Sequence, residues 1–173
     1  MMDRMNRIFH AAEVEVTISG VFTTHHRMQA AREALGELTL PALRRDGVFY
    51  AANGCEIAVR RPHWWRDWHE LWEGKTMLGM ARPQGFFSRR MAVQFRNREY
   101  TLQPAGFWTR AWHLTDRAGT TLLEIRPRGV FRRGAYVKVI FAVDTALLVL
   151  AYYLVHTRWQ RESAAAASAA SAS

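Results

Sequence analysis

The chain of 173 residues carries 24 Lys+Arg against 15 Asp+Glu, a net charge of +9, and 49% of its residues are hydrophobic, enough to fill a single core. A lone cysteine, Cys55, excludes a disulfide framework within the chain. Residues 1–12 contain charges and no apolar stretch of signal-peptide character, so a cytoplasmic protein is expected.

The charge is unevenly placed. Residues 1–80 hold ten Lys+Arg and ten Asp+Glu, whereas residues 81–173 hold fourteen and five. A field of this sign favours nucleic acid, acidic lipid headgroups or an acidic protein.

Taken in chain order, residues 13–18 alternate and read as an early strand. Residues 24–38 fit a short helix with Met28, Ala31, Leu35 and Leu38 on one face. Residues 1–37 are therefore expected to be a strand-and-helix extension preceding the main domain at 38–161. Within that domain the prolines stand at Pro41, Pro62, Pro83, Pro104 and Pro127, with spacings of 21, 21, 21 and 23. Three of the segments they open share Pro-x-Gly and two bulky apolar residues, as in Pro83-Gln84-Gly85-Phe86-Phe87, Pro104-Ala105-Gly106-Phe107-Trp108 and Pro127-Arg128-Gly129-Val130-Phe131. A fixed period of this kind marks a repeated structural unit.

Each unit reads as two strands and a turn. Asn53-Gly54 carries the hairpin signature of a type I′ turn. Asn97-Arg98, Asp116–Gly119 and Glu73–Lys75 divide the following pairs. Met91, Val93 and Phe95 alternate with Ala92, Gln94 and Arg96, and Cys55, Ile57 and Val59 repeat the pattern. The prolines fall between hairpins, where a missing N–H removes no ladder bond. Nine strands are readable between residues 47 and 141. A meander this long is expected to close into an antiparallel barrel, which removes its exposed edges.

Residues 139–155, VIFAVDTALLVLAYYLV, form a hydrophobic run with one charge, Asp144. A bilayer span needs roughly 20 apolar residues, with about 17 as the lower limit. A single-pass anchor is one reading. The favoured one makes residues 135–140 the last strand, Asp144 a cap and residues 146–159 a helix buried in the barrel. The Ala/Ser-rich residues 162–173 lack bulky apolar anchors and are expected to be a disordered tail.

Strand pairs rich in Phe, Trp and Arg, a final strand and an apolar C-terminal helix together resemble the tubby-like superfamily, with the phospholipid scramblases and LURP-one-related proteins. The resemblance covers residues 38–160. It implies a closed barrel wrapped around the helix and a membrane-associated, lipid-binding or signalling role.

Enzymatic signatures are weak. Gly74-Lys75-Thr76 has the end of a phosphate-binding loop, but His69 stands where its first glycine is required. His25-His26 and His63/His69 lack helical metal spacing, His113 reads as a barrel residue, and Cys55 reads as an inert core thiol. The Trp64, Trp65, Trp68 and Trp72 cluster reads as core, with interfacial membrane contact as the functional alternative. No cofactor is expected and the protein is read as a non-enzyme. The candidate anion- or lipid-binding residues are Arg89, Arg90, Arg126, Arg128, Arg132 and Arg133, because guanidinium forks match phosphate oxygens. If the proline junctions share one rim, these and neighbouring arginines form one cationic edge. The expected partner is thus an anionic lipid or a membrane surface. A structural or protein-binding role and a nucleic-acid binder are the alternatives; the latter is disfavoured by aromatics tied to strand periodicity.

Overall fold

A computed structural model describes residues 8–9, 12–42, 46–63, 66–85, 89–129 and 133–171. Two-residue periodicity dominates it. In the strand Met91–Phe95, Met91, Val93 and Phe95 are buried while Ala92 and Gln94 face outward, as the alternation predicts. Strands of this kind follow one another along most of the chain: β1 (Ile8–Phe9), β2 (Ala12–Ser19), β3 (Thr23–Ala30), β4 (Glu33–Pro41), β5 (Gly47–Ala51), β6 (Glu56–Arg60), β7 (His69–Glu73), β8 (Thr76–Pro83), β9 (Met91–Phe95), β10 (Arg98–Pro104), β11 (Trp112–Asp116), β12 (Thr121–Pro127), β13 (Gly134–Val139) and β14 (Val143–Asp144). One helix, α1 (Thr145–Ser171), follows.

Among the described residues, β2 to β13 form a closed barrel of twelve strands in sequence order, every neighbouring pair antiparallel. Closure is made by β13 against β2, from Gly134↔Thr17 to Val139↔Ala12. No sheet edge is left in the barrel. The small β1–β14 pair lies beside it, with Ile8 opposite Asp144.

The hydrophobic run fills the bore. Every residue of α1 from Thr145 to His156 is buried, as is Trp159, and the helix shares one core with inward residues such as Phe49, Leu71, Trp112 and Ile125. A helix apolar on all sides needs such a sleeve. No helix among the described residues is long and apolar enough to cross a membrane. Asp144 caps α1, its Oδ1 accepting the Ala146 N–H at 2.8 Å, and its Oδ2 stands 3.3 Å from Arg96 Nη1.

The N-terminal expectation is corrected. Residues 12–37 belong to the barrel, and the helix read at 24–38 is instead β3, a turn and β4. His26, Met28 and Ala30 point inward in strict alternation, but a polar histidine in that series hides the period. A bulge then resets the register, from Met28↔Gly36 to Gln29↔Ala34, and spaces Leu35 and Leu38 like helix neighbours. Gly36 has φ +149°, and a Cβ there would lie 2.3 Å from the Tyr50 carbonyl oxygen, so glycine is required.

The C-terminal tail also differs from expectation. Alanine propagates helix readily, and α1 continues to Ser171 with its surface exposed beyond Trp159. Ser168 Oγ donates back to the Ala164 carbonyl at 3.0 Å. The Asn53-Gly54 turn has positive φ only at Gly54; the turn with positive φ at both central residues is Arg96-Asn97, at 44° and 63°.

Leu150 lies fully buried inside the sleeve. Leu150→Ala is expected to cost about 2–5 kcal/mol, read as a lower urea midpoint with unchanged slope. A cost under about 1 kcal/mol would contradict a close-packed bore.

Candidate functional site

Strict antiparallel succession sorts the connections into two sets. Those after β2, β4, β6, β8, β10 and β12 lie at one end, and the tight turns lie at the other with the start of α1. The helix therefore emerges through the first set, where four contacts hold it. Trp159 Nε1 donates to the Arg110 carbonyl at 3.0 Å, Arg89 pairs with Glu162 at 2.6 Å, and Arg158 and Arg161 both reach Asp67, at 2.7 and 2.8 Å.

This rim is cationic. Its described loop residues include Arg61, Arg66, Arg89, Arg90, Arg110 and Arg133, against Asp46 and Asp67. It is also studded with apolar tips. Phe22 is 84% exposed, Phe107 85% and Trp108 94%, and Val21 is likewise in solvent. The Phe107 and Trp108 rings meet edge to face at 5.3 Å. Phe22 follows Gly20-Val21, so the connection after β2 carries the glycine-plus-bulky-pair pattern seen in the proline repeats.

The six arginines singled out from sequence do not form one cluster. Arg89 and Arg90 lie in the β8–β9 connection; Arg89 faces Glu162 and sits over the Trp112 ring at 5.8 Å. Arg126 and Arg128 flank the Tyr136 ring on the outer wall and pair with Glu13 and Glu15 of β2, which offsets their charge. Arg133 stands at the mouth, its Nη1 donating to the Gly20 carbonyl at 3.1 Å. Arg132 lies outside the described residues, as do Trp64 and Trp65. Arg96 and Arg98 fall at the opposite, tight-turn end.

Below the mouth runs a polar chain that sequence reading missed. Tyr152 of α1 donates to His26 Nδ1 at 2.7 Å, and His26 Nε2 meets Thr24 Oγ1 at 2.9 Å. Thr24 in turn reaches the Leu40 carbonyl at 3.4 Å. The His156 ring lies 4.5 Å from that of His26. Burial, then the charges of His156 and Arg133, hold His26 down to about 3. Burial and Arg133 hold His156 down to about 4. His69 is also lowered, by burial, although its Nε2–H donates to Asp67 at 3.1 Å. Burial works against ionisation of Asp67, but the His69 hydrogen bond and the Arg161 and Arg158 charges outweigh it and hold the carboxyl well below its usual range. The one signal for this chain was the pair His25-His26: in a strand, adjacent residues face opposite ways, and His25 faces out to Glu37 at 2.8 Å.

Cys55 is half-buried beside the core and donates to Glu73 at 2.9 Å. Burial and the Glu73 carboxylate push its thiol up to about 11, far from a nucleophile's range. His113 faces Glu124 across the β11–β12 pair at 3.6 Å. Among the described residues, no group of three or more His, Cys, Asp or Glu is placed to hold a metal ion.

The fold is thus that of a closed antiparallel barrel sheathing its own C-terminal helix. It resembles a crystal structure of a protein from Arabidopsis thaliana, AT5G01750, at TM-score 0.62 and 12% identity, covering 86% of this chain and 91% of that one. At that identity the likeness is one of fold. No family model matches the chain, and no curated protein matches it.

The buried histidines set an acid limit. Unfolded histidine titrates near 6.5, so between that value and about 4 the unfolded chain binds more protons than the fold. Stability is fully present above that window and falls as the pH descends through it. Urea midpoints are expected to drop between pH about 7.5 and about 4.5, and His156→Phe to shallow the slope by about one proton. An identical slope in the variant would refute the assignment.

Proposed function

We propose that this chain is a non-enzymatic, tubby-like barrel module that docks on the cytoplasmic face of an anionic membrane through its helix-exit rim. The observation carrying this reading is the coincidence, at one end of the barrel, of solvent-exposed Phe22, Phe107 and Trp108 with an excess of arginines. Aromatic rings favour the headgroup level of a bilayer, and guanidinium groups pair with lipid phosphates. The barrel and its enclosed helix supply a rigid platform, so docking needs no rearrangement of the core.

The arginines of the outer wall contribute less in this scheme. Arg126 and Arg128 already face Glu13 and Glu15, whereas Arg133 meets the uncharged carbonyl of Gly20. Each arginine near an acidic surface contributes about 1 kcal/mol.

The test is co-sedimentation with vesicles of phosphatidylcholine alone or mixed with phosphatidylserine. The wild-type chain is expected to bind only the mixed vesicles and to be released by salt. Replacing Arg90 and Arg133 together by Gln should weaken binding by about thirtyfold. Phe107→Ser with Trp108→Ser should weaken it by about tenfold or more. Equal binding to both vesicle types, or none, would overturn the proposal.

A further inference from the structure

An open cleft of about 610 Å³ remains at the mouth where α1 leaves the barrel, between the helix and the connections after β2 and β4. Its size falls within the roughly 300–1,000 Å³ typical of small-ligand sites. The lining divides by chemistry. Phe22, Leu40 and Ala164 present apolar surface, while Arg61, Arg133 and Arg161 present guanidinium groups. Tyr153 and His69 line it too, their rings 5.4 Å apart.

Positive charge is in excess at Arg133 and Arg161 of this cleft. Asp67 is shared between Arg158 and Arg161, so one carboxylate faces two guanidinium groups. Arg133 has a backbone carbonyl, that of Gly20, as its partner, and a guanidinium carries further N–H donors beyond the one used there. Positive charge held over a partly buried, low-dielectric floor attracts an anion more strongly than the same charge in open water. An inorganic anion would satisfy the arginines and leave the apolar residues wet, whereas a plain hydrocarbon would leave the arginines unmatched. A molecule with both parts satisfies both.

We infer that the cleft binds a single-chain amphiphilic anion, one alkyl or acyl chain ending in a phosphate or carboxylate, with the head group on Arg133 and Arg161 and the chain against Leu40, Phe22 and Ala164. This goes beyond membrane docking, because the ligand is taken up one molecule at a time and from solution as well as from a bilayer.

The experiment is a calorimetric titration of the full chain with dodecyl phosphate below its micelle-forming concentration, with inorganic phosphate and dodecyltrimethylammonium in parallel. One dodecyl phosphate is expected to bind per chain, at least tenfold more tightly than either control. Arg133→Gln should weaken it about tenfold or more, and Ala164→Trp, at an exposed helix position, should abolish it by filling the cleft. Thermal unfolding of both variants reports that the barrel is intact. Absence of binding, equal affinity for inorganic phosphate, or unchanged affinity in both variants would overturn the inference. The Phe107→Ser, Trp108→Ser variant separates the two readings, since neither residue lines the cleft. It should lose vesicle docking and keep dodecyl phosphate. Docking without dodecyl phosphate binding overturns the cleft alone, and the converse overturns only the membrane reading.

Discussion

Neither the barrel nor its helix is a stable object without the other, and that mutual burial governs the rest of the molecule. A helix with Leu, Val, Ala and Tyr on every side has no face to turn toward water. A twelve-strand sleeve with its apolar side chains pointing inward has no means of filling its own axis, because barrel diameter grows with strand number. The two problems solve each other. The sleeve is completed by pairing β13 with β2, strands at opposite ends of the chain, so closure and helix insertion both depend on contacts remote in sequence, the kind that form slowly.

From this arrangement follows the difference between the two ends. At one end the connections are tight turns, and α1 begins there under its Asp144 cap. At the other, connections that are mostly longer surround the emerging helix and fasten it through Asp67, Arg110 and Arg89. Loops there have room to carry protruding aromatics and arginines without disturbing the ladder. The proposed docking surface therefore sits where the fold constrains the sequence least.

Most of the scaffold was legible in the chain itself. The proline period located the rim connections, because proline is tolerated where the ladder ends. Alternation in β6 and β9 gave strand faces directly. Reading failed where a polar residue served as core. His26 broke the apolar series of β3 and, with the bulge opposite Gly36, imitated a helical spacing. The cationic rim was visible as a recurrence of arginine near proline, yet pairing was not. That Arg126 and Arg128 meet Glu13 and Glu15 depends on β2 lying beside β13, a neighbour relation that closure alone creates. Asp67 was obscured likewise, since its partners Arg158 and Arg161 lie about ninety residues downstream.

The hydrogen-bonded chain from Tyr152 through His26 to Thr24 has a consequence for uniqueness. A smooth greasy rod in a greasy tube has many nearly degenerate placements, differing by a small screw motion along the axis. Turning α1 by one residue would carry the Tyr152 hydroxyl away from His26 and strand two polar groups in a dry interior, a heavy penalty. The same three side chains that look like a flaw in the core thus act as the key of a lock. They select one rotation and one depth, and so fix which residues of α1 reach the mouth.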